Sequence, residues 1–177
     1  DFPSSEGATD VDVIGKKAYV TSNPTSAGQE DFYIFNVSDP NLTPLSDYGA
    51  GSKLNTGPGL AAVHVAGKYA YVANLSRTAQ LLIINISDPA HPFIAKSFKL
   101  TNVTGTGSQA LGNSIYYLNK KVYLGLSKTA TGPEFNVIDV SAFLDNPINN
   151  PILIGSFAAD TSVNAIVVKN SIAYIAT

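Results

Sequence analysis

The chain has 177 residues, of which 45% are hydrophobic and only 14% charged, with a net charge of −2 and neither Cys nor Met. A charged fraction well below the roughly 25% of ordinary domains, with no basic run, argues against a nucleic-acid partner. The lack of Cys excludes disulfides, thiolate metal sites and cysteine nucleophiles, and no apolar run approaches the ~20 residues of a membrane span.

The first segment, 9–14, alternates polar and apolar residues and runs into Gly15-Lys16, a two-residue turn, and then Ala18-Tyr19-Val20. Two β-rich runs joined by a Gly- or Asn-led pair read as a hairpin. The same hairpin returns as 61–66, Gly67-Lys68 and Ala70-Tyr71-Val72, then as 114–118, Asn119-Lys120 and Val122-Tyr123-Leu124. A fourth copy runs through 165–168, Asn170-Ser171 and Ala173-Tyr174-Ile175. The four tyrosines are spaced by 52, 52 and 51 residues, and a period of that kind marks one stacked supersecondary unit.

A variable loop follows each hairpin, then a third hydrophobic run: 32–37, 81–86 and 135–140. These runs do not alternate, which suits strands covered on both faces. Two of them end in Ser-Asp-Pro, at Ser38-Asp39-Pro40 and Ser87-Asp88-Pro89, and the third has a longer ending with Pro147 and Pro151. Pro cannot donate to a ladder and Asp holds the turn backbone, so these close the strand. A fourth short strand is expected at 45–48, 93–98 and 152–157. Four short antiparallel strands per unit of about 50 residues describe the blade of a β-propeller. The fold class is therefore all-β, a β-propeller or an open segment of one, with about three and a half blades. Blade 1 is expected at about 8–50, blade 2 at about 58–100, blade 3 at about 110–158 and a half blade at about 162–177.

The run 67–73 (Gly-Lys-Tyr-Ala-Tyr-Val-Ala) followed by 81–89 (Leu-Leu-Ile-Ile-Asn-Ile-Ser-Asp-Pro) resembles the LVIVD repeat. In that family Asp stands where Asn36 and Asn85 are found here, and Asp139 matches it. The resemblance implies a β-propeller of a bacterial or archaeal protein, extracytoplasmic, secreted or on the cell surface. It implies a scaffold or binding module and brings no catalytic motif.

The shared residues are core and turn positions, so function has to be sought elsewhere. Asp12, His64 and Tyr116 occupy equivalent places on the first strands and could face a central channel as a weak polar ligand site. Glu30-Asp31 and Glu134 share the entry to the third strand, where a structural role is expected. No catalytic residue, metal site or cofactor is assigned. The chain begins at Asp1 and reads as a processed product or an internal fragment, and the half blade at 171–177 offers an edge through which a second copy could associate. The expected function is a non-enzymatic module for binding a protein or glycan, or for surface structure; the alternative is a propeller hydrolase or lyase with its site at the channel mouth. The most variable loops, 21–30, 50–59, 74–79, 101–112, 127–133 and 158–163, are expected together on one face, where ligand contacts are sought first.

Overall fold

A computed structural model of the chain describes residues 7–26, 28–38 and 52–177. Its strands follow the sequence period. The first sheet contains β1 (Ala8–Ile14), β2 (Lys17–Ser22), β3 (Phe32–Asn36) and β4 (Lys53–Leu54). The second contains β5 (Leu60–Ala66), β6 (Tyr69–Asn74), β7 (Leu81–Asn85) and β8 (Phe93–Phe98). The third contains β9 (Gly112–Leu118), β10 (Lys121–Leu126), β11 (Phe135–Asp139) and β12 (Ile152–Phe157), and a two-stranded sheet contains β13 (Ala165–Lys169) and β14 (Ile172–Ala176). Each four-stranded sheet is an antiparallel meander in chain order. First strands of neighbouring sheets, β1 with β5, β5 with β9 and β9 with β13, lie against one another. That arrangement places the first strands around a common axis and the fourth strands outside: three propeller blades and half of a fourth.

The expected strand at 45–48 lies outside the described residues, as does the turn residue pair Asp39-Pro40. Among the described residues, the strand on the outer side of β3 is β4, paired through Phe32 with Leu54 and Tyr33 with Lys53. It comes from the stretch 50–59 that alone reads as a loop. A two-residue strand is too short to show alternation, so pattern could not find it.

Because side chains alternate across a strand, the second and third blades have two buried faces and pack on both neighbours. Tyr19, Phe32 and Ile34 meet Val63, Val65, Val72, Leu82 and Ile84 in one core between the first two blades. Tyr71, Leu81 and Ile83 meet Ile115, Val122, Leu124 and Ile138 in the next, and Phe135 meets Val163, Ile166 and Val168 in the third. Adjacent residues Ile83 and Ile84 are both fully buried, one in each core. This is the physical content of the unalternating third strand. In the half blade, Val167, Ile172 and Tyr174 are more than half exposed.

The longer ending of the third blade holds a feature the periodicity does not announce. Ser141–Asp145 forms α1, a single helical turn. It inserts Phe143, fully buried, against Tyr69 of the second blade with ring centroids 5.0 Å apart.

The equivalent hairpin turns are built in two ways. Gly15 and Gly67 have φ of 62° and 61°, and the lysine after each does not share the positive φ. In the other two, both residues are left-handed: Asn119 at 50° with Lys120 at 61°, and Asn170 at 50° with Ser171 at 63°. The doubly left-handed turn matches strand twist but strains a residue with a Cβ. Lys120→Gly is therefore expected to stabilise the protein by about 1 kcal/mol, since the Lys120–Asp145 ion pair it removes is exposed. Urea unfolding of the two proteins checks this.

Candidate functional site

Three side chains at the same repeat position organise the face where the variable loops meet. Asp31, Gln80 and Glu134 each immediately precede a third strand and are almost wholly buried. Asp31 accepts the backbone amide of Thr56 at 2.8 Å and its hydroxyl at 2.7 Å. Gln80 accepts the Leu100 amide at 3.0 Å and donates to the Ala110 carbonyl at 3.2 Å. Glu134 accepts the amides of Thr129 at 3.2 Å, Ala159 at 3.0 Å and Asp160 at 3.1 Å. In every blade, one buried polar group therefore ties the third strand to the connection leading to the next blade. In the third blade it holds the loop between second and third strands as well. A buried polar group of this sort is stable only when satisfied, and these supply structure rather than chemistry, as their repeat equivalence suggests. Sequence reading singles out Asp31 and Glu134 and misses Gln80, because an amide in the series breaks the acidic pattern while keeping the hydrogen-bonding task.

Their ionisation differs. Burial pushes the Asp31 carboxyl above its ordinary value, and the Thr56 hydrogen bonds only partly offset it. For Glu134 burial also pushes upward, but the hydrogen bonds from Thr129 and Ala159 outweigh it and hold the carboxyl below its ordinary value.

Two open clefts lie beside these clamps. One, of about 280 Å³, has Arg77, Thr78, Gln80, Lys99, Thr104 and Ala110 on its wall. The other, of about 400 Å³, is formed by 128–134 with Ala158 and Asp160. Both sit between a second-to-third-strand loop and the following inter-blade connection, so they are equivalent places in successive blades with different linings.

Asp12, His64 and Tyr116 do fall in succession on neighbouring first strands. His64 lies in ring contact with Tyr116 and within electrostatic reach of Asp12. Asp12 Oδ2 accepts the Val65 amide at 2.7 Å, and Asp10 Oδ2 accepts the Val63 amide at 2.9 Å. These carboxylates satisfy donors on the edge of β5, the inner edge strand of its sheet. At the third seam Ser114, equivalent to Asp10, donates to the Val163 carbonyl at 2.8 Å. At the second seam the equivalent side chains make a ring contact instead, His64 against Tyr116 with centroids 4.8 Å apart. Behind them Tyr71 stacks on Tyr117 at 4.5 Å. Tyr71 is fully buried, and among the described residues its hydroxyl has no partner that meets hydrogen-bond geometry; burial, with the Tyr117 phenol beside it, drives its pKa strongly upward.

Burial pulls the His64 pKa below the ordinary imidazole value, and the Asp12 and Asp10 carboxylates only partly offset it. His64 is thus a neutral ring at pH 7. Asp12→Asn keeps an oxygen for the Val65 amide and removes the charge, so it is expected to lower the His64 pKa further; an NMR titration of the ring checks the direction. Among the described residues, no three His, Asp or Glu side chains are grouped to hold a metal ion, and no helix is long and apolar enough to cross a membrane.

At the opposite end of the blades, Asn36, Asn85 and Asp139 close the third strands alike. Each side-chain oxygen accepts the amide two residues on: Ser38 at 3.0 Å, Ser87 at 2.9 Å and Ser141 at 2.7 Å. Asn serves this turn as well as Asp, which is why both occur at one repeat position.

Comparison with known proteins bears on fold and repeat type. No functionally curated protein matches the sequence. Among solved structures the chain is similar to the computationally designed Ika4 protein, with a TM-score of 0.60 at 10% identity over 97% of this chain and 85% of that one. It is similar to the designed Ika8 protein, with a TM-score of 0.57 at 10% identity over 96% of this chain and 42% of that one. It also resembles a quinonprotein alcohol dehydrogenase-like protein from Bacteroides thetaiotaomicron, with a TM-score of 0.51 at 12% identity over 89% of this chain and 30% of that one. The chain thus spans less than half the length of the last two. At such identities these likenesses speak to fold alone. Residues 60–99, the second blade of this propeller-like all-β array, match the family model of the LVIVD repeat.

Proposed function

We propose that this propeller segment is a non-enzymatic, extracytoplasmic module that binds a protein or a glycan on its loop face. The observation that carries the reading is the clamp series. Asp31, Gln80 and Glu134 fix the roots of the loops in the same way in each blade, while the residues beyond the roots differ from blade to blade. A rigid frame with diverse loops is the general construction of a recognition surface. The clefts above the second and third blades differ in lining, cationic at Arg77 and Lys99 and of mixed charge at Lys128 and Asp160, so one ligand spanning both would meet unlike subsites. The extracytoplasmic placement is supported by the low charged fraction and the LVIVD repeat.

The test is a binding screen of the isotope-labelled chain against surface glycans and cell-surface proteins, followed by mapping of NMR shifts. Perturbations centred on 77–80, 99–110, 128–134 and 158–160 are the expected result. Turnover of a glycan, or perturbations confined to the outer strands, would overturn the reading.

A further inference from the structure

The sequence holds no basic run, yet the fold makes a basic arc. Six of the eleven Lys and Arg residues stand in or beside the turns of the four first hairpins: Lys16, Lys17, Lys68, Lys120, Lys121 and Lys169. Each blade is the same meander and the first strands lie side by side, so these turns all fall at one end of the array, close to its axis and opposite the variable loops. Lys16, Lys68, Lys120 and Lys169 are exposed there. Fifty-residue spacing hides in the sequence a cluster that stacking brings together.

At the last seam of this arc is a cleft of about 470 Å³ lined by Leu118, Asn119, Lys121, Tyr123, Asn170 and Ser171. We propose that this turn face binds an acidic polysaccharide and that the cleft holds one of its carboxylate-bearing sugar residues. The volume is that of a small-ligand site, roughly 300–1,000 Å³. The lining suits a sugar acid in kind. Lys121 offers an ammonium for the carboxylate, the amides of Asn119 and Asn170 and the Ser171 hydroxyl offer donors and acceptors for ring hydroxyls, and the half-buried ring of Tyr123 with Leu118 offers an apolar surface for the C–H face of a pyranose. Two carboxylates lie near Lys121. Asp139 stands opposite it across the strand pair and feels its charge, while its hydrogen bonds come from the Ser141 hydroxyl and amide; Asp145 pairs with Lys120 at 3.6 Å. Neither makes a close ion pair with the Lys121 ammonium among the described residues, which keeps it able to meet a ligand carboxylate. Lys169 and Lys120 flank the cleft in sequence, and the arc through Lys68 and Lys16 continues the positive field along the turn face for the rest of a polymer. A single aromatic ring among amides favours a sugar over nucleic acid, whose binding surfaces present a series of aromatic platforms for successive bases.

The experiment titrates the labelled chain with hexagalacturonate, with neutral maltohexaose and with a single-stranded DNA of matching charge. Hexagalacturonate is expected to bind with an affinity that falls as salt rises and to shift the amides of Asn119, Lys121 and Asn170. Lys121→Glu is expected to weaken it by roughly tenfold or more, Asn170→Ala to weaken it also, and Lys96→Ala, on the outer strand β8, to leave it unchanged. No binding at about 1 mM ligand, affinity unaffected by Lys121→Glu in a variant whose spectrum shows the native fold, equal affinity for maltohexaose or for the DNA, or shifts confined to the loop face would each overturn the proposal. Because shifts on the turn face and on the loop face are read separately, this surface stands or falls independently of the loop-face reading.

Discussion

Gly112→Ala is expected to cost about 3 kcal/mol, at the upper end of what overpacking costs. Gly112 opens β9 where the third blade crosses the second, and no positive φ is involved. The reason is space. A Cβ at this position would lie 2.6 Å from the Asn74 nitrogen, 2.6 Å from the Gln80 carbonyl oxygen and 2.9 Å from the Asn74 carbonyl oxygen. The first two of these atoms are partners in a hydrogen bond of 2.9 Å that closes the loop between β6 and β7. All three are backbone, so no side chain can swing aside. The new methyl group must push β9 away from the second blade or break that bond, and either opens the core between the second and third blades. Gly155→Ala is the control. A Cβ there meets only the Val137 Cβ at 3.9 Å, ordinary contact, and the lost freedom of the unfolded chain favours the variant by a few tenths of a kcal/mol. Urea unfolding of both variants against the parent measures the contrast. A Gly112→Ala protein as stable as the parent would mean that the blades are not in the close contact described.

The contrast between those two glycines also marks what a sequence can disclose. Period-two alternation and Gly- or Asn-led turns are local, and they placed the hairpins and the fourth strands at 93–98 and 152–157, which match β8 and β12. The unalternating third runs proclaimed burial on both faces, and Ile83 and Ile84 show it. What the period could not carry is any relation between blades. Nothing local distinguishes Gly112 from Gly155. Nothing local shows that the Asp12 carboxylate accepts the Val65 amide of the next blade. The seam contacts differ at each junction, a carboxylate at one, an aromatic pair at the next and a serine at the third, so the repeat equivalence that identifies the positions does not predict their use. The helix carrying Phe143 is similarly invisible. Five residues are too few for helical periodicity to register, and its stability comes from the burial of one ring against Tyr69 rather than from propensity.

Glu134→Ala is expected to cost about 3 kcal/mol at pH 7, because it strands several buried or half-buried donors at once. The carboxylate takes three backbone amides, from Thr129, Ala159 and Asp160. The Thr129 hydroxyl lies 2.8 Å from Oε1 and 2.6 Å from the Gly132 carbonyl oxygen; its one proton serves either acceptor, so it survives the substitution where the amides do not. Glu134→Gln is the sharper variant. Its oxygen can face Ala159 and Asp160, but its amide nitrogen then meets the Thr129 N–H, donor against donor. The pH dependence separates this from simple loss of packing. The folded-state pKa of Glu134 lies below the ordinary 4.5, so its ionisation adds stability that is present above pH 4.5 and is lost as the pH falls through the folded value. The penalty of Glu134→Gln is therefore largest at neutral pH and shrinks in acid. Asp31 has the opposite sign. Its folded pKa lies above the ordinary 3.8, so its contribution is fully present below that value and is lost as the pH rises through the folded one. The penalty of Asp31→Asn accordingly grows in acid. Equivalent clamps in the first and third blades are thus expected to give unfolding free energies that diverge with pH in opposite directions. Parallel pH profiles for the two variants would show that the carboxylates act as polar fillers and that their ionisation does not hold the loops in place.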